Sequence, residues 1–302
     1  MTVISLNKIK ALAESKGFAT VENAMMKSYT TFRIGGPAEL LIECNDIRFI
    51  KDIIDAIKQE KLDLMVIGKG SNLLVSDKGI KGVVVCICDD KVSVEGNVIT
   101  CNAGALLSKI CLAAKDNSLT GLEFAWGIPG SVGGAVYMNA GAYGGEIKQV
   151  VSSVTSITRD GEVVTRLNDE LELGYRTSVF KSNDEIILSA KFNLQHGDKA
   201  AINANMSEIL GRRKDKQPLE FASAGSTFKR PQGYFAGALI EDCNLKGCAF
   251  GDAMVSTKHA GFVINKGNAS SADVMNLIKH IQDTVYRKHG VMLETEVIYC
   301  GE

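Results

Sequence analysis

Between Gly127 and Gly145 the chain carries seven glycines, with Pro129, one of its four prolines, among them. Glycine tolerates positive φ and lets a ligand approach bare backbone, so this density suggests main chain held against something flat or anionic. A flexible linker is the alternative, but linkers are polar and this stretch is interleaved with Trp126, Ile128, Val132, Val136, Tyr137 and Met138. A packed ligand loop is therefore expected. A second loop, Gly68-Lys69-Gly70-Ser71-Asn72-Leu73, follows the apolar run 62–67. Neither loop is a P-loop, because the Gly-Lys-Ser/Thr ending is missing. The first is not a dinucleotide fingerprint, which needs Gly-x-Gly-x-x-Gly opening a helix after a strand, and in the second Leu73 stands where the third glycine belongs. Two such loops suggest a dinucleotide held extended between them.

With 302 residues there is room for two or three domains. The formal net charge of −1 argues against a nucleic-acid binder that relies on counterion release. The eight cysteines are scattered, mostly in apolar runs. Cys86 and Cys88 share one face of a strand, but no nearby Cys or His pair completes a zinc set, so no metal is expected. Reduced core thiols suit the cytosol. The first residues lack the apolar core of a signal peptide, and no apolar run reaches membrane-spanning length. We expect a cytoplasmic protein without membrane insertion.

Hydrophobic spacing predicts a helix over 5–16, a strand over 39–43 and an Asp46-capped helix presenting Ile47, Ile50, Ile53, Ile54 and Ile57. The strand over 62–67 then closes a β-α-β unit with parallel pairing. A hairpin is predicted around Gly96-Asn97 and a helix over 106–115. Strands follow at 150–158, 162–166 and 185–194. A helix over 197–213 is closed by Pro218, near an expected domain boundary. Short apolar elements follow at 239–242 and 250–255, and a strand at 260–264. The last helix starts at the Ser270/Ser271 cap and stops at Gly290, before a strand over 293–299.

Three polar residues stand out beside the loops. Arg176 lies in Gly-Tyr-Arg-Thr-Ser, where its planar fork suits a carboxylate or phosphate, or else a structural ion pair. Ser226 is outside any Gly-x-Ser-x-Gly elbow, so it is a turn former or a catalytic hydroxyl of another kind. Glu296 is on an exposed strand face or in a site. Lys216, at a basic helix end, either faces solvent or reaches a diphosphate. The four histidines are too dispersed for a metal site.

Gly-Gly-Pro-Ala (35–38), Gly-x-Gly-Ser-Asn-Leu-Leu-Val (68–75), Ile-Pro-Gly-Ser-Val-Gly-Gly-Ala (128–135), Asn-Ala-Gly-Ala-Tyr-Gly (139–144), Gly-Tyr-Arg-x-Ser (174–178), Ala-Gly-Ser-x-Phe-Lys (224–229), Leu-Lys-Gly (245–247) and Leu-Glu-x-Glu-Val (293–297) appear in this order. Together they resemble the UDP-N-acetylenolpyruvoylglucosamine reductase family of bacterial peptidoglycan synthesis. The resemblance implies an α+β chain with a vanillyl-alcohol-oxidase-type FAD-binding fold in two subdomains, expected at 1–82 and 83–210. It implies a substrate domain at 211–292 and a terminal strand, 293–302, returning to the active site. It further implies non-covalent FAD with NADPH as hydride donor, and UDP-N-acetylenolpyruvoylglucosamine as the small-molecule partner. A monomer or weak oligomer is expected.

Carried over by position, the family's catalytic residues fall on Arg176, Ser226 and Glu296. Cofactor contacts fall on Gly68, Lys69, Gly70, Ser71, Asn72 and Leu73, on Gly127, Ile128, Pro129, Gly130, Ser131, Gly133, Gly134 and Ala135, and on Asn139, Ala140 and Gly141. Substrate contacts fall on Tyr175, Lys216 and Lys229, with Lys229 or Lys216 expected to assist Ser226. The stretch after Arg176 is too short for the tyrosine-bearing loop of some members, so the chain resembles the shorter subclass. Rival readings are an FAD-linked oxidase of a small alcohol or sugar, and a non-catalytic flavin binder.

Overall fold

The computed structural model describes residues 2–302. The chain packs as two compact units, one of Met1–Glu22, Leu40–Lys69 and Gly82–Arg212, the other of Asn23–Glu39, Gly70–Lys81 and Arg213–Glu302. The sequence expectation kept 1–82 together and set 293–302 apart from 211–292. The difference has a local cause in the second unit. Strand Leu73–Val75 pairs in parallel with Ile298–Cys300, and Phe32, Ile34 and Leu74 share a core with Val274, Leu277 and Ile281.

The first unit is built on helix Ile50–Gln59, whose Ile50, Ile53, Ile54 and Ile57 form the buried stripe that the spacing predicts. They join Leu40, Ile42, Val83 and Val85 in one core. Asp46 caps the entry by accepting the Arg48 N–H at 3.1 Å. A four-stranded sheet runs in the order Ala19–Met25, Pro37–Cys44, Ile80–Ile87, Leu64–Ile67. The strand after the helix therefore pairs in parallel with Ile80–Ile87, not with the strand before it. The continuous apolar run 83–87, buried throughout, suits that inner position.

The five-stranded sheet of this unit is ordered Val163–Leu167, Val151–Ile157, Ile186–Asn193, Val98–Asn102, Val92–Glu95, and all of its pairs are antiparallel. Gly96, at φ +59°, and Asn97 turn the last hairpin as the two-residue loop that the sequence signals, with glycine at the first central position. In the sheet Glu185 is buried, takes a 2.6 Å bond from the Ser156 hydroxyl and pairs with the Arg166 guanidinium.

In the second unit helix Ser271–His289 opens with a capping box between Ser270 and Asp273 and ends on Gly290 at φ +69°. Val274, Leu277, Ile278, Ile281 and Val285 form its buried face. An antiparallel sheet of Ala222–Ser223, Val263–Asn265, Ala253–Val255 and Ala249–Phe250 completes the core. The terminal strand is shorter than predicted, Ile298–Cys300. Before it, the Glu294 and Glu296 backbone bonds to the short run 227–229, around the isolated bridge Phe228 to Thr295.

The Glu185 pair makes stability pH-dependent. The Arg166 guanidinium, then the Ser156 hydroxyl, hold the Glu185 carboxyl below its ordinary value despite burial. A lowered folded value stabilises the fold above the unfolded carboxyl pKa, about 4.3, and that share is lost as pH falls through the folded value. Glu185→Gln should lower stability by about 1.5–3 kcal/mol at neutral pH in urea titrations. The gap should close below roughly pH 4; a constant gap down to acid would contradict the pairing.

Candidate active site

The first unit presents two of the predicted loops. The stretch 127–135 is clamped onto residues 103–107: Val132 and Gly133 donate N–H to Ala105 and Ala103 at 2.8 and 2.9 Å, and Leu107 donates to Gly130 at 3.0 Å. It is a packed loop, not a linker. The N–H groups of Ile128 and Gly130 also bond to chain carbonyls, so Ile128, Gly130 and Gly133 offer surface rather than donors. Gly127 and Pro129 are exposed, and the segment continues as the short helix Val132–Tyr137, with Gly134 on its exposed side and Ala135 buried.

One donor in this loop is left over. Ser131 is 2% exposed, and its Oγ has no hydrogen-bond partner among the described residues. An unsatisfied buried hydroxyl costs about 1–3 kcal/mol, so a native chain keeps one for a reason. A Cβ at Gly68 would stand 2.2 Å from that oxygen. Gly68 must therefore be glycine for the Ser131 hydroxyl to lie against its bare Cα, and Lys69 beside it is exposed. An orphan donor and a bare glycine in a packed loop fit a phosphate of FAD.

The second unit carries the remainder of this loop. Gly70 has φ +58°, and a Cβ there would meet the Tyr29 carbonyl at 2.3 Å, so only glycine fits. Ser71 and Leu73 are half-buried. Asn72 is a brace. Its Nδ2 donates to the Glu296 carbonyl at 2.9 Å, and its own carbonyl accepts from Ile298 N–H at 2.9 Å.

Ser226 and Glu296 are brought together by Thr227. The Thr227 N–H bonds to Gly261 O at 2.9 Å, its hydroxyl accepts Val263 N–H at 3.0 Å, and its carbonyl accepts Glu296 N–H at 2.8 Å. Thr227 is buried, while Ser226 and Glu296 are half-buried. Thr227 was missed in the sequence because it occupies the variable place of Ala-Gly-Ser-x-Phe-Lys. Lys229 lies one step further along, but its Nζ pairs with exposed Glu294 at 3.1 Å. Lys216 is exposed at the end of helix Lys199–Lys216.

Arg176 belongs to the first unit. It lies in the turn closed by Gly174 and Thr177, whose N–H and C=O groups bond reciprocally at 3.2 and 3.3 Å. Its φ is +56°, a strained conformation for arginine, and its side chain reaches the Gly141 carbonyl at 3.4 Å. Its guanidinium sits 5.2 Å from the exposed Tyr175 ring. Asn139, expected as a cofactor contact, positions this turn. It is 1% exposed, donates to Gly174 O at 2.9 Å and Glu146 Oε2 at 3.1 Å, and accepts Lys148 N–H at 2.9 Å. Ala140 is bound into the chain by its N–H to Ala135 O at 2.8 Å. Among the described residues no cluster of His, Cys, Asp and Glu forms a metal site.

A family model described as UDP-N-acetylenolpyruvoylglucosamine reductase, C-terminal domain, matches residues 217–300, and one described as FAD binding domain matches 38–166. A UDP-N-acetylenolpyruvoylglucosamine reductase of Clostridium novyi (strain NT) is 50% identical over 281 residues, covering 93% of this chain and 92% of that protein. One of Clostridium tetani (strain Massachusetts / E88) is 47% identical over 296 residues, covering 97% and 96%. The crystal structure of UDP-N-acetylenolpyruvylglucosamine reductase from Thermus caldophilus superposes with a TM-score of 0.81 at 34% identity, covering 93% of this chain and 98% of that one.

The orphan hydroxyl makes a divided prediction. Ser131→Ala removes a buried donor without a partner, so the flavin-free protein should unfold at the same urea midpoint or a higher one. Flavin binding should weaken roughly ten-fold, the worth of one charge-assisted hydrogen bond. Lower stability of the flavin-free form with unchanged flavin affinity would return Ser131 to a packing role.

Proposed function

The chain belongs to the UDP-N-acetylenolpyruvoylglucosamine reductase family, and on that premise we propose that it reduces UDP-N-acetylenolpyruvoylglucosamine to UDP-N-acetylmuramate with NADPH. The observation that carries this is near-half identity over almost the full length of both chains. Bound FAD would supply the hydride relay between NADPH and the terminal carbon of the enolpyruvyl group.

The chain's own residues do the rest. Hydride addition leaves negative charge on the substrate carbon beside its carboxylate. Arg176 is the electrostatic partner of that carboxylate, since its planar fork matches the two oxygens. Ser226 donates the proton to that same charged carbon. Glu296, whose backbone is tied to Thr227 and Asn72, supports the developing charge from its protonated form. Tyr175 and Lys216 serve the sugar nucleotide. Lys229 acts with Glu294 as an ion pair in the run that follows Ser226, and water returns to the serine the proton that it gives up. The same reading gives the unit containing 127–141 the flavin and the unit containing 213–302 the substrate. It places the enzyme in the cytoplasm, as a monomer or weak oligomer, in peptidoglycan precursor synthesis.

Anaerobic stopped-flow spectroscopy tests the reading. Purified protein should be yellow, NADPH should bleach it, and the enolpyruvyl sugar nucleotide should recolour it with a product heavier by two hydrogens. Acid precipitation should leave the colour in the supernatant. Rapid recolouring by oxygen, with none by the sugar nucleotide, would make the chain an oxidase.

A further inference from the structure

Cys86 and Cys88 take no part in this chemistry, yet their geometry is specific. Cys86 is buried as the last residue but one of its strand, Ile80–Ile87, and pairs in register with Ile67, the residue before Gly68. Cys88 stands just past the strand end and is exposed. With Ile87 turned to the other face, the two sulfurs meet in hydrogen-bond contact at 3.5 Å. The Cys86 Sγ also lies 3.5 Å from the Gly68 carbonyl. Cys88 is fixed by its N–H to the Cys44 carbonyl at 2.8 Å. The Cys44 thiol is buried, and burial pushes it up to about 12.

The two thiols are unequal. Contact with Cys86, and then the charge of Lys69, hold the Cys88 thiol below its ordinary value against burial and the charge of Glu43. The same contact and burial push Cys86 up. An accessible thiol whose ionisation is eased, in contact with a buried one whose ionisation is opposed, is the arrangement of an attacking and a resolving cysteine.

We propose that Cys86 and Cys88 are a reversible oxidation site for peroxides, placed so that the disulfide disturbs the Gly68 loop. The Cys88 thiolate attacks one peroxide oxygen. The O–O bond breaks, Cys88 becomes a sulfenic acid, and hydroxide leaves and takes up the proton that Cys88 gave on ionising. The Cys86 sulfur then attacks the Cys88 sulfur, the S–O bond breaks, and water departs with the Cys86 proton. In sum two thiols and one hydrogen peroxide give one disulfide and two waters; the thiols lose two electrons and the peroxide gains them. Bonded sulfurs sit about 2.0 Å apart, so Cys86 is drawn toward Cys88 and loses its S–H contact with Gly68 O. That shift acts on the residue whose bare Cα faces Ser131. The disulfide itself stands apart from the flavin reading, whereas its effect on flavin retention rests on that reading.

The test treats the purified protein with stoichiometric hydrogen peroxide. Its intact mass should fall by two hydrogens, peptide mapping should place the link between Cys86 and Cys88, and dithiothreitol should restore both thiols. Cys88→Ser should abolish the reaction, and Cys86→Ser should leave a Cys88 sulfenic acid that dimedone traps. Flavin retention in the oxidised wild type should weaken roughly ten-fold and recover on reduction, with no change in Cys88→Ser. Two thiols that remain alkylatable, a link to another cysteine, or oxidation that stops at sulfinic acid would each overturn the site. An oxidised protein that holds flavin as tightly as before would overturn its action on the loop. A protein that never held flavin would sink the flavin reading alone, and the mass measurements would still decide the disulfide.

Discussion

The Glu296 backbone is held at both ends, by the Asn72 amide on its carbonyl and by the Thr227 carbonyl on its N–H. Three chain segments far apart in sequence meet there: the end of the Gly68–Leu73 loop, the Ser226 turn and the C-terminal run. Each bond is worth only about 0.5–1.5 kcal/mol net. Their value is positional. They present one half-buried hydroxyl and one half-buried carboxyl from neighbouring backbone, anchored by Thr227, which is itself buried and bonded through all three of its polar groups. Strand Leu73–Val75 against Ile298–Cys300 then fixes the register of the whole arrangement.

In the other unit the same kind of control is exerted by glycine-rich backbone packed against residues 103–107 and by Asn139 under the Arg176 turn. The strain at Arg176, φ +56°, persists because the Gly174–Thr177 bonds and Asn139 over-determine the turn. Such stored strain is consistent with a side chain placed in advance of the charge it meets. Ser131 makes the complementary arrangement, a donor left unsatisfied in the protein alone.

Local chemistry was legible in the chain. The Ser270 cap, the Gly290 stop, the isoleucine stripe of Ile50–Gln59 and the Gly96-Asn97 turn are all where spacing and capping place them. Arg176, Ser226 and Glu296 were singled out by their neighbours and then by resemblance. Long-range pairing was not legible. Nothing in 62–67 says that Ile80–Ile87 will take the place beside it, and Thr20, Glu22 and Asn23 disguise the strand Ala19–Met25. The terminal strand reads as seven residues by alternation, but only its end ladders with Leu73–Val75, and the part before Ile298 meets 227–229 through a single bridge. Asn139 and Asn72 were marked by their motifs as ligand contacts, and only the fold shows how much of their amide bonding is internal.

The central claim, that Ser226 is set in place as the proton donor, is tested by following the two half-reactions of Ser226→Ala in a stopped-flow instrument. The variant should fold, hold flavin, and be bleached by NADPH at nearly the normal rate. Recolouring by the enolpyruvyl substrate should be slower by ~10²–10⁴-fold, the usual share of a general acid. A variant slow in both steps would make Ser226 a structural residue of its turn. One that is fast in both would show that the proton comes from elsewhere, and either result would contradict the account.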